Sequence, residues 1–140
     1  QWIKQQVAEA EQKGQKVMLL SHHQPFSAFE DGGKKIREAM GDLKIHTWFW
    51  GHEHRCAIYK PHMNVQHGRL VGHGGVPAYQ FGKQDRPYPE ICDYVYRGRF
   101  RNGLEWWGNF GFAALELDGE VINVKYIDEH GETYYSEKIV

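Results

Sequence analysis

The sequence predicts an α/β fold whose mixed sheet is parallel in its first half and built from antiparallel hairpins in its second. Three observations predict it. Residues 17–20 form a short, continuously apolar run, and residues 45–50 a second apolar run, of the kind that fill parallel strands. A helical stretch over 34–40, closed by Gly41, separates them, and strand–helix–strand order is a right-handed parallel crossover. Further on, residues 112–117 and 121–127 flank Asp118-Gly119, a strong two-residue hairpin signal.

The elements follow in order. Ile3, Val7 and Ala10 recur at helical spacing, Trp2 widens the stripe, and Gly14 stands where a C-terminal cap belongs. Gln1 is already helical in pattern with no capping residue before it, which predicts a fragment or a processed product. The strand at 17–20 is expected to be buried on both faces and ends in Ser21-His22-His23-Gln24-Pro25. The strand at 45–50 ends in Gly51-His52-Glu53-His54, so both histidine clusters fall just past neighbouring parallel strands, where open α/β sheets place ligands. Residues 57–60 and 69–72 read as a hairpin around Pro61-His62-Met63-Asn64. Ile122, Val124 and Tyr126 alternate with polar residues, a half-buried strand, and 133–140 supply a last strand. Residues 77–110, rich in Tyr, Trp, Arg, Gly and Pro with weak periodicity, read as a functional insertion or a rim.

Composition narrows the function classes. The 140 residues fit one domain, and 17 Lys+Arg against 18 Asp+Glu leave a net charge of −1. There is no clear nucleic-acid patch. No apolar run approaches the roughly 20 residues that span a bilayer, and no signal peptide is visible. Sixteen glycines, nine histidines and 14% aromatic residues suggest a loop-rich, site-bearing fold. Cys56 and Cys92 are expected to be free, which favours a cytoplasmic setting.

The chemistry concentrates in the histidines. In extended backbone, residues i and i+2 share a face, so His52 and His54 converge while Glu53 points away, and Gly51 permits the tight exit from the strand. Neutral imidazole is a common ligand for Zn, Mn, Fe and Ni. His22 and His23 compete to join them, because adjacent residues of an extended chain face opposite ways. His46 lies inside a strand as a core or face residue, and His62, His67 and His130 read as turn or loop residues without partners.

The segment from Val17 to Phe26 and that from Phe49 to Arg55, each a strand ending in histidines, together resemble the last two metal-binding motifs of the calcineurin-like metallophosphoesterases. The resemblance implies a four-layer α/β/β/α sandwich of which residues 1–140 are the C-terminal part, with an insertion at about 77–110. It implies metal ligands at His22, His52 and His54, and a hydrolase acting on a phosphorylated small-molecule or macromolecular substrate through two divalent ions (Mn, Fe, Zn or Ni). His73, in Gly72-His73-Gly74-Gly75, and Arg55 would be substrate contacts, with a solvated His73 as the plainer reading. The family's carboxylate-bearing motifs and its transition-state histidine would lie upstream. Three neutral histidines cannot hold two mutually repelling cations, so this chain would bind at most one ion weakly and be inactive alone.

Two further readings compete. A partner-binding module would keep the scaffold without catalysis and use the insertion, with Arg86, Arg97, Arg99, Arg101, Tyr79, Tyr88, Tyr94, Tyr96, Trp106 and Trp107, as its surface. A structural zinc on His22, His52 and His54 lacks an identifiable fourth ligand and ranks last. An unpartnered sheet face would also favour a homo-oligomer.

Overall fold

The computed structural model describes residues 1–79 and 90–140; Arg86 and Tyr88 lie outside the described residues. Helix α1 (Trp2–Gln12) buries Val7 and ends in a Schellman turn. There the Gln15 N–H reaches the Ala10 carbonyl and the Gly14 N–H that of Glu11, with Gly14 at φ 65°. Strand β1 (Met18–Ser21), helix α2 (Lys34–Met40) and strand β2 (Ile45–Trp50) form the expected parallel unit. Strands β3 (Cys56–Tyr59) and β4 (Val65–Val71) turn through Met63 and Asn64, whose positive φ angles of 45° and 63° make the tight loop. With β5 (Cys92–Val95) they complete a five-stranded sheet of order β1-β2-β4-β3-β5. Its β1, β2 and β4 run parallel, and β3 is antiparallel to both β4 and β5.

Strands β6 (Arg99–Asn102) and β7 (Glu105–Gly108) form a separate two-stranded ribbon. Strands β8 (Gly111–Asp118), β9 (Val121–Asp128) and β10 (Thr133–Ile139) form a three-stranded antiparallel sheet. The β8–β9 loop is Gly119-Glu120, one residue later than Asp118-Gly119, because Asp118 is itself paired with Val121.

Two apolar layers explain why β2 is buried on both faces. Trp48 and Trp50 pack with Val7, Phe26 and Met40 on the helical side, whereas Phe49 packs with Val124, Tyr126 and Ile139 of the second sheet. A buried ion pair pins the two sheets together. Arg69 donates from Nε and Nη2 to both Glu137 oxygens at 2.6 Å, and its Nη1 donates to the Tyr59 and Gly68 carbonyls. The Tyr126 hydroxyl donates to Glu137 Oε1 at 2.7 Å, so little hydrogen-bonding capacity is left unmet.

The fold is thus mixed α/β and mostly sheet, with helices, five strands and three strands as successive layers. A fourth, helical layer over the three-stranded sheet is not found among the described residues. Strand β1 differs from expectation. It is an edge strand, and Leu20 is 71% exposed, since a short apolar run does not reveal whether a neighbour covers each face.

Candidate functional site

The loops after β1 and β2 bring His22, His23 and His52 together, with one ligand nitrogen of each within 4.8 Å of the others. The rings of His23 and His52 stack at 4.6 Å, and His22 stands edge-on to both. His52 Nδ1 lies 3.2 Å from His22 Nε2. His54 is exposed and outside this group.

Backbone geometry explains the exchange of His54 for His23. The chain after Trp50 is not extended. The Glu53 N–H bonds the Gly51 carbonyl and the Arg55 N–H bonds the Glu53 carbonyl, two successive three-residue turns. His52, at the centre of the first, has φ 66°, a left-handed value that costs a non-glycine residue about 1 kcal/mol or more. Same-face pairing at i and i+2 is therefore lost. On the other side, the Ser21 hydroxyl donates to the His23 carbonyl at 2.8 Å, and the Gly51 N–H reaches the carbonyls of Ser21 and His22. The chain bends as it leaves β1, and adjacent histidines no longer face opposite ways.

Glu53 does point away, into the interior, at 7% exposure. Burial pushes its carboxyl above the ordinary value, and the Ser27 hydroxyl beside it offsets this only in part. The glycine at 72 is required here, because a Cβ there would overlap the Glu53 carbonyl.

The two residues expected to contact substrate have partners of their own. His73 is 4% exposed, with Nε2 hydrogen-bonded to the Tyr134 hydroxyl at 2.8 Å, and burial pushes it down to about 4, so it stays neutral. This replaces the solvated His73 of the sequence reading. Arg55 is exposed, its guanidinium 4.8 Å from the Phe29 ring centre. The histidines expected to lack partners also have them. His67 lies in β4 against His46, at 5.0 Å between ring centres, and His62 packs on Phe26 at 4.8 Å. His130 lies 3.7 Å from the Glu129 carboxylate. Both cysteines are free and buried, and burial pushes each thiol up to about 12.

The three ligand nitrogens are grouped closely enough that they could hold one cation. Two nitrogens on a zinc-like ion stand roughly 3.3 Å apart; the His22–His52 pair is 3.2 Å apart and the three ligand nitrogens lie within 4.8 Å. No carboxylate joins the group among the described residues, and imidazoles bring no negative charge.

A second feature stands apart from the histidines. In the β6–β7 ribbon, Arg101 faces Trp106, Phe100 faces Trp107 and Arg99 faces Gly108. Alternation puts Arg99, Arg101 and Trp106 on one face. The Arg99 guanidinium lies 4.5 Å from the Trp106 ring centre. Leu104, in the loop, is 91% exposed. The weak periodicity of 77–110 concealed this ribbon, although Asn102-Gly103 between Arg-Phe-Arg and Glu-Trp-Trp is a hairpin signal of the recognised type.

No family model matches the chain, and no curated protein does. The structure is similar to that of GAP50, the anchor in the inner membrane complex of Plasmodium. The TM-score is 0.66 at 15% identity, over 98% of this chain and 40% of that one. At that identity the likeness shows the fold alone, and the chain spans well under half of its neighbour.

These findings correct the metallophosphoesterase resemblance and the hydrolase function drawn from it. The protein whose fold this chain shares is described as an anchor, and no family model supports the motif match. The physical reason is visible at β2. Gly-His-x-His is a short pattern whose meaning depended on extended backbone, and the turn at His52 removes that condition. No helix of the described residues is long and apolar enough to cross a membrane.

Proposed function

We propose that this chain is a partner-binding module that engages another protein through the β6–β7 ribbon. One observation carries the reading: a two-stranded ribbon outside both main sheets exposes Leu104 at its tip and sets Trp106 beside two arginines. Isolated ribbons are only marginally stable, and Trp and Arg are the residues most enriched where binding energy concentrates. The anchor role of the protein with a similar fold supports the same direction. The test is affinity capture with the immobilised chain beside a Leu104→Ser/Trp106→Ser variant whose fold is checked by circular dichroism. The variant should lose the captured partner; identical capture by both would overturn the reading.

The histidine group supports a second, independent role. His22, His23 and His52 would together hold one divalent ion with low affinity, water completing its coordination. Titration with Zn or Mn should give a single weak site that His23→Ala removes and His54→Ala leaves intact. The reverse pattern would restore the triad of His22, His52 and His54. A two-metal centre is not part of this proposal, because nothing in the group offsets the repulsion between two cations. Self-association through the open β1 edge, where Leu20 is exposed, would appear in sedimentation as a dimer that Leu20→Asp dissociates.

A further inference from the structure

We infer that the β6–β7 ribbon binds an extended acidic peptide with carboxylates at alternate positions, added as a third strand along β6. The inference rests on the partner-binding reading and names the partner's chemistry. Its first ground is the free edge. The Asn109 N–H bonds the Gly98 carbonyl, and β6–β7 pairing alternates from there. The N–H and C=O of Phe100 therefore point at β7, and those of Arg99 and Arg101 point outward. No strand pairs with that edge among the described residues, whereas the β7 side is met by the Tyr79–Trp107 bridge.

Charge is the second ground. Arg99 and Arg101 make no ion pair among the described residues, and the Arg101 side chain reaches only the Gly103 carbonyl. The acid nearest in the ribbon, Glu105, lies on the other face and accepts from Trp107 Nε1. Two guanidinium forks thus lie unneutralised on one face, spaced by two residues, roughly 6.8 Å. An added strand would lie about 4.8 Å away, with its own i and i+2 side chains at the same spacing. Carboxylates at those positions meet the forks in register, and Trp106 offers an apolar flank.

Other polyanions fit less well. A net charge of −1 gives little long-range field for nucleic acid, and lipid surfaces are usually held by clusters of four to eight basic residues.

The experiment measures fluorescence anisotropy of a labelled, capped heptapeptide with a central Glu-Val-Glu, added to the full chain. Controls are its Gln-Val-Gln analogue, a Glu-Glu-Val isomer, a single-stranded oligonucleotide and phosphatidylserine vesicles. The Glu-Val-Glu peptide should bind, weaken with salt, and lose about tenfold for each of Arg99→Gln and Arg101→Gln. Equal binding of the Gln analogue or the isomer, preference for oligonucleotide or vesicles, or indifference to the arginine changes would each overturn the inference. Loss of the acidic-peptide result while capture still depends on Leu104 and Trp106 would overturn this inference alone and leave the partner-binding reading standing.

Discussion

The two hairpins β6–β7 and β8–β9 begin from the same local chemistry and end in opposite roles. Each has a two-residue loop opened by a left-handed glycine, Gly103 at φ 61° and Gly119 at φ 59°. In β8–β9 eight residues pair with eight, and Val124 and Tyr126 are sealed against the five-stranded sheet. In β6–β7 four pair with four, and Gly108 is the one buried residue of the ribbon. Turn chemistry decides that a hairpin forms. What its faces meet decides whether it becomes core or display.

The largest expected effect tests the core side of this contrast. Arg69→Ala removes both bonds to Glu137 and leaves that carboxylate between the sheets with only the Tyr126 hydroxyl. Such a change costs about 3–5 kcal/mol. Leu104→Ser, at an exposed loop, should shift stability by less than about 0.5 kcal/mol. Urea unfolding of both variants checks the pair. A comparable loss for Leu104→Ser would mean that the ribbon packs on the body of the protein.

Much of the fold was legible in the sequence, and the exceptions share a cause. The parallel unit, the β8–β9 hairpin and the last strand follow from periodicity and turn residues, which act locally. Leu20 was misread because coverage of a strand depends on a neighbour that periodicity does not name. Of the candidate site, His22 and His52 were legible from their places at the ends of parallel strands. The exchange of His54 for His23 depends on one left-handed residue, His52, which residue type alone does not dictate. The β6–β7 ribbon was hidden because aromatic residues serve cores and surfaces alike, although Asn102-Gly103 marked the turn.

A middle-sized effect concerns acid. Burial pushes His73 and His67 down to about 4, whereas in the unfolded chain each titrates near the ordinary 6.5. Between those values the unfolded chain binds more protons, so both residues' contribution to stability is lost as pH falls from 6.5 towards 4. His73→Phe removes one such group and should flatten the decline by on the order of 2 kcal/mol, at the cost of the Tyr134 hydrogen bond. Thermal melts at pH 7 and pH 5 separate the two consequences: a uniform loss at both values reports the bond, and a smaller gap between them reports the titration. An undiminished gap would mean that His73 is solvated in the native protein. Because the ribbon carries no titrating histidine, ribbon variants should leave the gap unchanged.

The smallest effect separates the hairpins most directly. Gly103→Ala and Gly119→Ala each force a side chain into a left-handed conformation, costing about 1–2 kcal/mol locally. A Cβ meets nothing within 4 Å at either position, so packing does not distinguish them. Cooperativity does. β8–β9 is paired along its length and joined to β10 and the inner core, so strain at Gly119 cannot be relieved without disturbing the domain. Gly119→Ala should therefore lower global stability by the full local cost. The β6–β7 ribbon can open while the rest stays folded, so Gly103→Ala should leave the urea midpoint unchanged. It should instead speed hydrogen exchange at Phe100 and Trp107, whose amides pair across the ribbon. Equal midpoint shifts for the two variants would break the comparison, because they would show the ribbon folding as part of the core.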